Sequence, residues 1–407
     1  MSVAIDAFFD EKRDGYWRSG ARVDGEEIWF ESKDTPLFVN GEALGCIALI
    51  PALLQGLEMR ISEPVCVEWK ENVARLTQLL AEAWGCTTTL PIEARSTERK
   101  PLEGRLRGQF FSGGVDSFYE LITTQKAPDA LICLHGFDMD LGETAKFEQL
   151  QKSVSEICSE RQLESVFLRT NVRTNATIAA LSWDDAHGGV LAAIGHLLSA
   201  KFHSVVIPPS WGQSSWRSLW GSHWKIDPLW SSSLLNVIHG DASATRGDRI
   251  RRISTEPIAQ HNLRVCWSQQ ARQGNCSSCP KCVRTMAVLH DCGQLGNFKV
   301  FDSSVPIWDK IDQLPFAAVT VTYDELIEKG VEPKLEQAIR RLIKRSHAVA
   351  LRAEYAVAHN RDLVEANAAL EKQLRSLQET IGAMSNTRTW KAGKAIRRFG
   401  NLLKAPE

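Results

Sequence analysis

Between residues 105 and 301, short apolar runs at 108–111, 130–134, 165–168 and 204–207 alternate with segments of helical spacing at 115–124, 144–158 and 189–199. Strands separated by helices of that length predict βαβ units and a parallel sheet, whose ligands bind beyond the carboxyl ends of the strands. Residues 1–105 have a different rhythm. Stretches at 27–30, 37–39 and 65–69 read as strands, Asp24-Gly25 and Asn40-Gly41 as turns between them, and 73–84 as a helix stopped by Gly85. The polar stretch 92–104 reads as a linker. From Leu335 to Met384 the spacing of apolar and small residues becomes an unbroken 4-3 alternation, which predicts a coiled coil. With the three-residue step taken as a to d, Asn360 and Asn367 fall at a, and Leu363, Leu370 and Leu377 at d. Leu at d favours two strands, and Asn at a fixes a parallel register, so a homodimer is expected.

The predicted architecture is therefore α/β. A small α+β N-terminal domain (1–105) precedes a parallel-sheet domain (106–301). A connector (302–334), a coiled coil (335–384) and a terminal tail (385–407) follow.

At ~100–200 residues per domain, 407 residues allow two or three domains. The 48 Lys+Arg and 49 Asp+Glu nearly cancel, which argues against a protein that coats nucleic acid. The balance hides an asymmetry: residues 336–407 hold fourteen Lys+Arg against seven Asp+Glu, leaving 34 against 42 for residues 1–335. An acidic body carries a basic extension. No apolar run approaches the ~20 residues of a membrane-spanning helix. The opening MSVAIDAFFDEKRDGYW has acids where an export signal has an apolar core, so the expected location is cytoplasmic.

Two motifs carry chemistry. The first, Ser112-Gly113-Gly114-Val115-Asp116-Ser117, directly follows an apolar strand and opens a helix. Two glycines let the chain curl so that N–H groups converge on an anion at the helix N-terminus. Ser112 and Ser117 can donate to phosphate oxygens. A carboxylate facing phosphate is useful through a bridging metal ion, which assigns Mg2+ to Asp116. The second is Cys266-x9-Cys276-x2-Cys279-x2-Cys282. Four thiolates at this spacing suit a closed tetrahedral zinc site with no open position, hence structural rather than Lewis-acidic.

The first motif resembles the pyrophosphate-binding loop of the N-type ATP pyrophosphatases. In this order, with Arg284 following the cysteines, the two motifs are similar to those of the 7-cyano-7-deazaguanine synthase family. The resemblance covers about 108–293. It implies an adenine-nucleotide alpha-hydrolase-like fold, with ATP held by Ser112, Gly113, Gly114, Val115, Asp116 and Ser117. Asp116 and Ser117 would be the catalytic pair, and His135 and Gly136 would flank the adenosine, although His135 also reads as a plain loop residue. Arg246, at the head of a helical run, would meet the phosphates. The implied reaction cleaves ATP to AMP and pyrophosphate while activating a carboxylate or carbonyl of a small-molecule acceptor for a nitrogen nucleophile. A tRNA-modifying thiolase of the same class and a non-catalytic nucleotide-binding scaffold are the alternatives.

Where that family has a Tyr-Pro-Asp-Cys-Arg stretch, this chain has WGQSSWRSLWGSHWKIDPLWSSS, with Trp211, Trp216, Trp220, Trp224 and Trp230. It reads either as an aromatic core under a long loop or as a stacking platform for an acceptor. In the second case Trp211, His223 and Asp227 are its candidate substrate residues. The last residues pair Arg388, Lys391, Lys394, Arg397, Arg398 and Lys404 with Trp390, Ile396, Phe399, Leu402 and Leu403. Such a segment suits the inner face of an anionic membrane or a protein partner, or is a solvated basic tail. Its Trp-Lys pair after a coiled coil is similar to tails in some bacterial surface-polysaccharide enzymes.

Overall fold

The computed structural model describes residues 2–86, 90–100, 103–213, 219–266 and 274–385. It divides into two units, 1–341 and 342–407. Trp216 and the tail beyond Ser385 lie outside the described residues.

The first unit is built on one sheet. Its N-terminal strands are β1 (Ser2–Arg13), β2 (Tyr16–Val23), β3 (Glu26–Ser32), β4 (Glu58–Ile61), β5 (Val65–Cys66), β6 (Ile92–Glu93) and β7 (Ser96–Thr97). They are followed by β8 (Leu106–Phe110), β9 (Ala130–His135), β10 (Glu164–Thr170), β11 (Phe202–Ile207) and β12 (Asn236–His239). The sheet order is β12-β11-β8-β9-β10-β3-β2-β1-β4-β6, with β5 and β7 paired separately. The five strands β12 to β10 are mutually parallel. β1, β2 and β3 form an antiparallel meander through Asp14-Gly15 and Asp24-Gly25, whose positive φ values suit tight hairpin turns.

Residues 1–105 and 106–301 thus share one sheet: β3 pairs antiparallel with β10, Phe30 opposite Thr170. The hydrophobic core is continuous across the expected boundary, running from Ile5 and Phe30 through Trp69 to Phe202 and Trp230.

Several local expectations change. Residues 37–39 form no strand, and Asn40 caps a helix, Gly41–Gln55, rather than making a hairpin turn. Its Oδ1 accepts from Ala43 N at 2.8 Å, and its Nδ2 donates to His196 O at 3.1 Å. That helix is apolar nearly all round and buried along most of its length, so it shows no amphipathic stripe. The strand expected at 65–69 stops at Cys66, and the helix is Val67–Trp84. Of the stretch expected to be a linker, residues 92–100 are docked: they supply β6 and β7, and Arg99 pairs with buried Glu42 at 2.9 Å.

The Gly41–Gln55 helix packs on the Trp183–Leu197 helix, where Gly189 approaches Cys46 O. At Gly188 a Cβ would stand 1.6 Å from Gly221 O, so only glycine lets the tryptophan-rich loop lie against this helix.

A single helix, Pro333–Ser385, includes the whole heptad segment. Leu335, Ala338, Ile339 and Leu342 are buried, whereas Leu370 and Leu377 are 61% and 60% exposed in the single chain. Among the described residues no helix is long and apolar enough to cross a membrane.

Candidate nucleotide and metal sites

Numbered by their own chain order, the five parallel strands run 5-4-1-2-3, and the winding reverses between β8 and β11. A crevice opens there, beyond the carboxyl ends of the strands. Ser112–Ser117 sits at its floor, at the end of β8. Gly113 has φ +74°, a value that favours glycine, and its carbonyl accepts from Arg264 N at 2.8 Å. Gly114 is the N-cap of the Val115–Thr123 helix and offers no side-chain cap, which leaves the first-turn N–H groups open to a ligand. Val115 anchors the loop in the core. Ser112 is exposed at the cavity wall. Ser117 is buried and its Oγ donates to Gly114 O at 3.0 Å, so its hydroxyl proton is already used within the turn.

The crevice encloses about 730 Å³, within the range of small-molecule sites. Its walls come from the ends of β8, β9 and β11, the tryptophan-rich loop, the cysteine segment and residues 317–325. The last of these belong to the expected connector, which is a wall of the site.

Asp116 is held by two guanidinium groups. Arg246 Nη1 donates to its Oδ2, and Arg249 Nη1 to its Oδ1 at 2.9 Å. Arg249 is fully buried and also donates to Pro209 O and, at 3.1 Å, to Trp211 O. Asp116 therefore organises a cationic pair, where the sequence suggested a ligand to a phosphate-bridging metal ion. Arg264 and Arg284 also line the cavity, and neither has a carboxylate within ion-pair distance among the described residues. Burial lowers the pKa of Arg264 and pushes that of Arg284 down to about 10. Burial, with Arg246 next in effect, pushes Lys281 down to about 7. Arg264 and Arg284, buried cations without an ion-pair partner among the described residues, are costly in that state and suit an anion.

His135 does not face the cavity. It stacks on Phe147 at 4.4 Å between ring centroids, and its Nε2 lies 2.9 Å from Asp140 O. Gly136 N donates to Met139 O at 2.9 Å, closing the loop after β9, and the cavity there is lined by Leu134, Phe137, Asp138 and Met139.

The tryptophan-rich loop divides between the two readings. Trp230 is fully buried core. Trp211 and Trp220 line the cavity, edge to face at 5.9 Å, with His187 and Trp183 beyond them. Asp227 is fully buried and accepts from Ser222 Oγ at 2.7 Å, His223 N at 3.1 Å and His239 Nδ1 at 2.6 Å, so it ties the loop to β12. His223 is buried against Trp224, and burial, with His239 next in effect, pushes its pKa down to about 4. Of the three candidate substrate residues, only Trp211 reaches the cavity.

Cys266, Cys276, Cys279 and Cys282 converge, all sulfurs within 4.8 Å of one another. The pairs Cys266–Cys279 and Cys276–Cys282 are each 3.9 Å apart. A tetrahedron with Zn–S of about 2.3 Å has an edge of about 3.8 Å, so the donor set fits zinc. Asn275 fastens the knuckle: its Oδ1 accepts from Val265 N at 2.8 Å and Cys266 N at 3.1 Å. The four cysteines can hold a metal such as zinc. They also begin the Pro280–Asp291 helix, which carries Lys281 and Arg284 into the cavity wall.

Sequence reasoning names Arg246 and Arg284 but misses Arg249, Arg264, Lys281 and Tyr323. Arg249 and Lys281 had a readable signal, since each lies three residues from a named arginine on the same helix face. No family model, curated protein or solved structure matches the chain. Geometry alone defines the class: an α/β protein with a mostly parallel sheet, a crevice lined by arginines and carboxylates at its switch point and an adjoining four-cysteine site.

Proposed function

We propose that the chain is an ATP-dependent adenylating enzyme that cleaves ATP to AMP and pyrophosphate and transfers an activated acceptor to a nitrogen nucleophile. The observation that carries this reading is the position of Ser112–Ser117: an uncapped helix N-terminus at the switch point of a parallel sheet, facing unpaired arginines. Such a charge set suits a polyphosphate. Arg246 and Arg264 would neutralise it, while the N–H groups of 114–117 orient it. An acceptor carboxylate oxygen attacks the α-phosphorus; that P–O bond forms as the bond to the β-phosphate oxygen breaks, and pyrophosphate leaves. The nitrogen nucleophile then bonds to the activated carbonyl carbon, loses a proton, and AMP leaves with the C–O bond broken. Mg2+ would be held by Asp116 in exchange for Arg246. Trp211 and Trp220 offer flat faces to the acceptor. Zinc, ringed by four thiolates, would hold the fold and take no part in the reaction.

The double clamp on Asp116 favours a second reading, a scaffold that binds nucleotide without turning it over. Titrating ATP into the full chain and assaying pyrophosphate release across candidate carboxylic acids separates the two. Binding with release supports the enzyme, binding without release leaves the scaffold, and no binding rejects both.

We also propose assembly as a parallel homodimer through 363–384, which would cover the exposed Leu370 and Leu377. Paired tails would then reinforce each other's weak contacts with a membrane surface or partner. Light scattering should give a dimer for the full chain and a monomer for a chain ending after His347, which keeps the buried residues Leu335 to Ser346. Monomers in both cases at micromolar concentration would reject the coiled coil.

A further inference from the structure

Tyr323 lies on the Val321–Lys329 helix, outside both chemical motifs. It lines the crevice, is 1% exposed, and its hydroxyl has no hydrogen-bond partner among the described residues. A buried phenol usually finds a partner, and leaving one unsatisfied is costly. Two further orphan atoms belong to the same wall: Arg284 Nε and Arg246 Nε are buried without partners. All three are donors. Burial raises the Tyr323 pKa, which keeps the phenol protonated and able to donate. Donors left open beside arginines that lack counter-charges ask for an acceptor-only ligand, an oxyanion.

The spread of the orphan donors selects the kind of oxyanion. Asp116 is shared by Arg246 and Arg249, and Arg264 and Arg284 have no ion-pair partner among the described residues. Asp138, Asp184 and Glu325 line the crevice as well as Asp116, so the selection rests on the orphan donors, which belong to three separate side chains of the wall. A pyrophosphoryl group, with acceptor oxygens on every side, matches them.

We propose that Tyr323 and Arg284 form a subsite for a pyrophosphoryl oxyanion, with the Tyr323 hydroxyl donating to a phosphoryl oxygen and the Arg284 guanidinium pairing with it. This deepens the nucleotide reading and rests on it only for the source of the group, the terminal phosphates of ATP or the pyrophosphate released from them.

The test is calorimetric titration of the full-length, metal-loaded chain with inorganic pyrophosphate, with ATP, and with succinate as a carboxylate control. Tyr323→Phe should weaken pyrophosphate binding about tenfold, the size of one charge-assisted hydrogen bond. Arg284→Gln should weaken it by at least as much. Tyr323→Phe should also leave the melting temperature of the ligand-free chain unchanged or higher, because it deletes an unsatisfied buried hydroxyl. A merely structural tyrosine would show the opposite pair: unaltered binding and lower stability. Pyrophosphate affinity indifferent to either variant overturns the subsite, as does no pyrophosphate binding at all, or succinate binding as tightly as pyrophosphate. If pyrophosphate binds through Tyr323 and Arg284 while ATP does not bind, the subsite stands and the nucleotide reading fails.

Discussion

Freshly purified full-length protein should contain one zinc per chain, and Cys282→Ser should lose both the metal and much of the first unit's stability. The four sulfurs already stand at the spacing of a tetrahedral site, two pairs at 3.9 Å. Apparent binding free energies for structural zinc run to roughly 10–16 kcal/mol near neutral pH, and where no site exists in the unfolded chain that free energy is available to folding. The consequence reaches the crevice, because Cys279, Pro280, Lys281 and Arg284 all line it. Chelation should therefore lower the melting temperature and weaken pyrophosphate binding together. Cys86→Ser, altering a half-buried cysteine outside the cluster, should do neither. Elemental analysis without zinc, or a Cys282→Ser chain as stable as wild type, would rule out the metal reading.

The parts of the fold legible in the sequence were those whose cause is local. Alternation of apolar runs and helical spacing gives the parallel strands β8 to β11 because each βαβ unit is assembled from neighbouring residues. The glycine-rich loop and the cysteine knuckle were legible for the same reason: each concentrates special backbone or ligand chemistry into a few positions. The pairing of β3 with β10 was not, since it joins residues more than a hundred apart and leaves no mark on either strand. The Gly41–Gln55 helix escaped because it is buried nearly all round, which removes the polar face that periodicity detects. Its start was misread for a related reason: Asn-Gly serves hairpin turns, yet Asn is equally suited to cap a helix.

The site shows the same division. The Ser112–Ser117 backbone was legible, but the partners of its side chains were not. Asp116 looked available because its arginines lie about 130 positions away. His135 looked like a pocket residue because it ends a parallel strand, yet its ring stacks on Phe147. Asp227 looked like a specificity residue among tryptophans and is the buried hub that fastens their loop. Tyr323 carried no signal at all: its meaning depends on what it fails to touch, which only the packed structure reveals.

Asp116→Ala should abolish pyrophosphate release and also destabilise the first unit. Arg249 is fully buried, and Asp116 is its only ion-pair partner among the described residues. Removing one member of a buried pair costs about 3–5 kcal/mol, because the remaining charge stays desolvated. The Asp116 side chain is 20% exposed, so screening brings the expected loss toward the lower end of that range. Arg249 keeps its bonds to the carbonyls of Pro209 and Trp211, which limits the damage and holds the loop near the cavity. Asp116→Asn retains an oxygen acceptor for Arg249 without the charge, and should be intermediate in stability yet as inactive as the alanine variant. Urea unfolding of both variants measures the stability, and pyrophosphate release, assayed at a temperature where circular dichroism finds them folded, measures the activity. Wild-type stability in Asp116→Ala would remove the ion-pair argument. Undiminished release by folded Asp116→Asn would instead sink adenylation through this loop, leaving Arg246 and Arg249 as a structural clamp on an anion site.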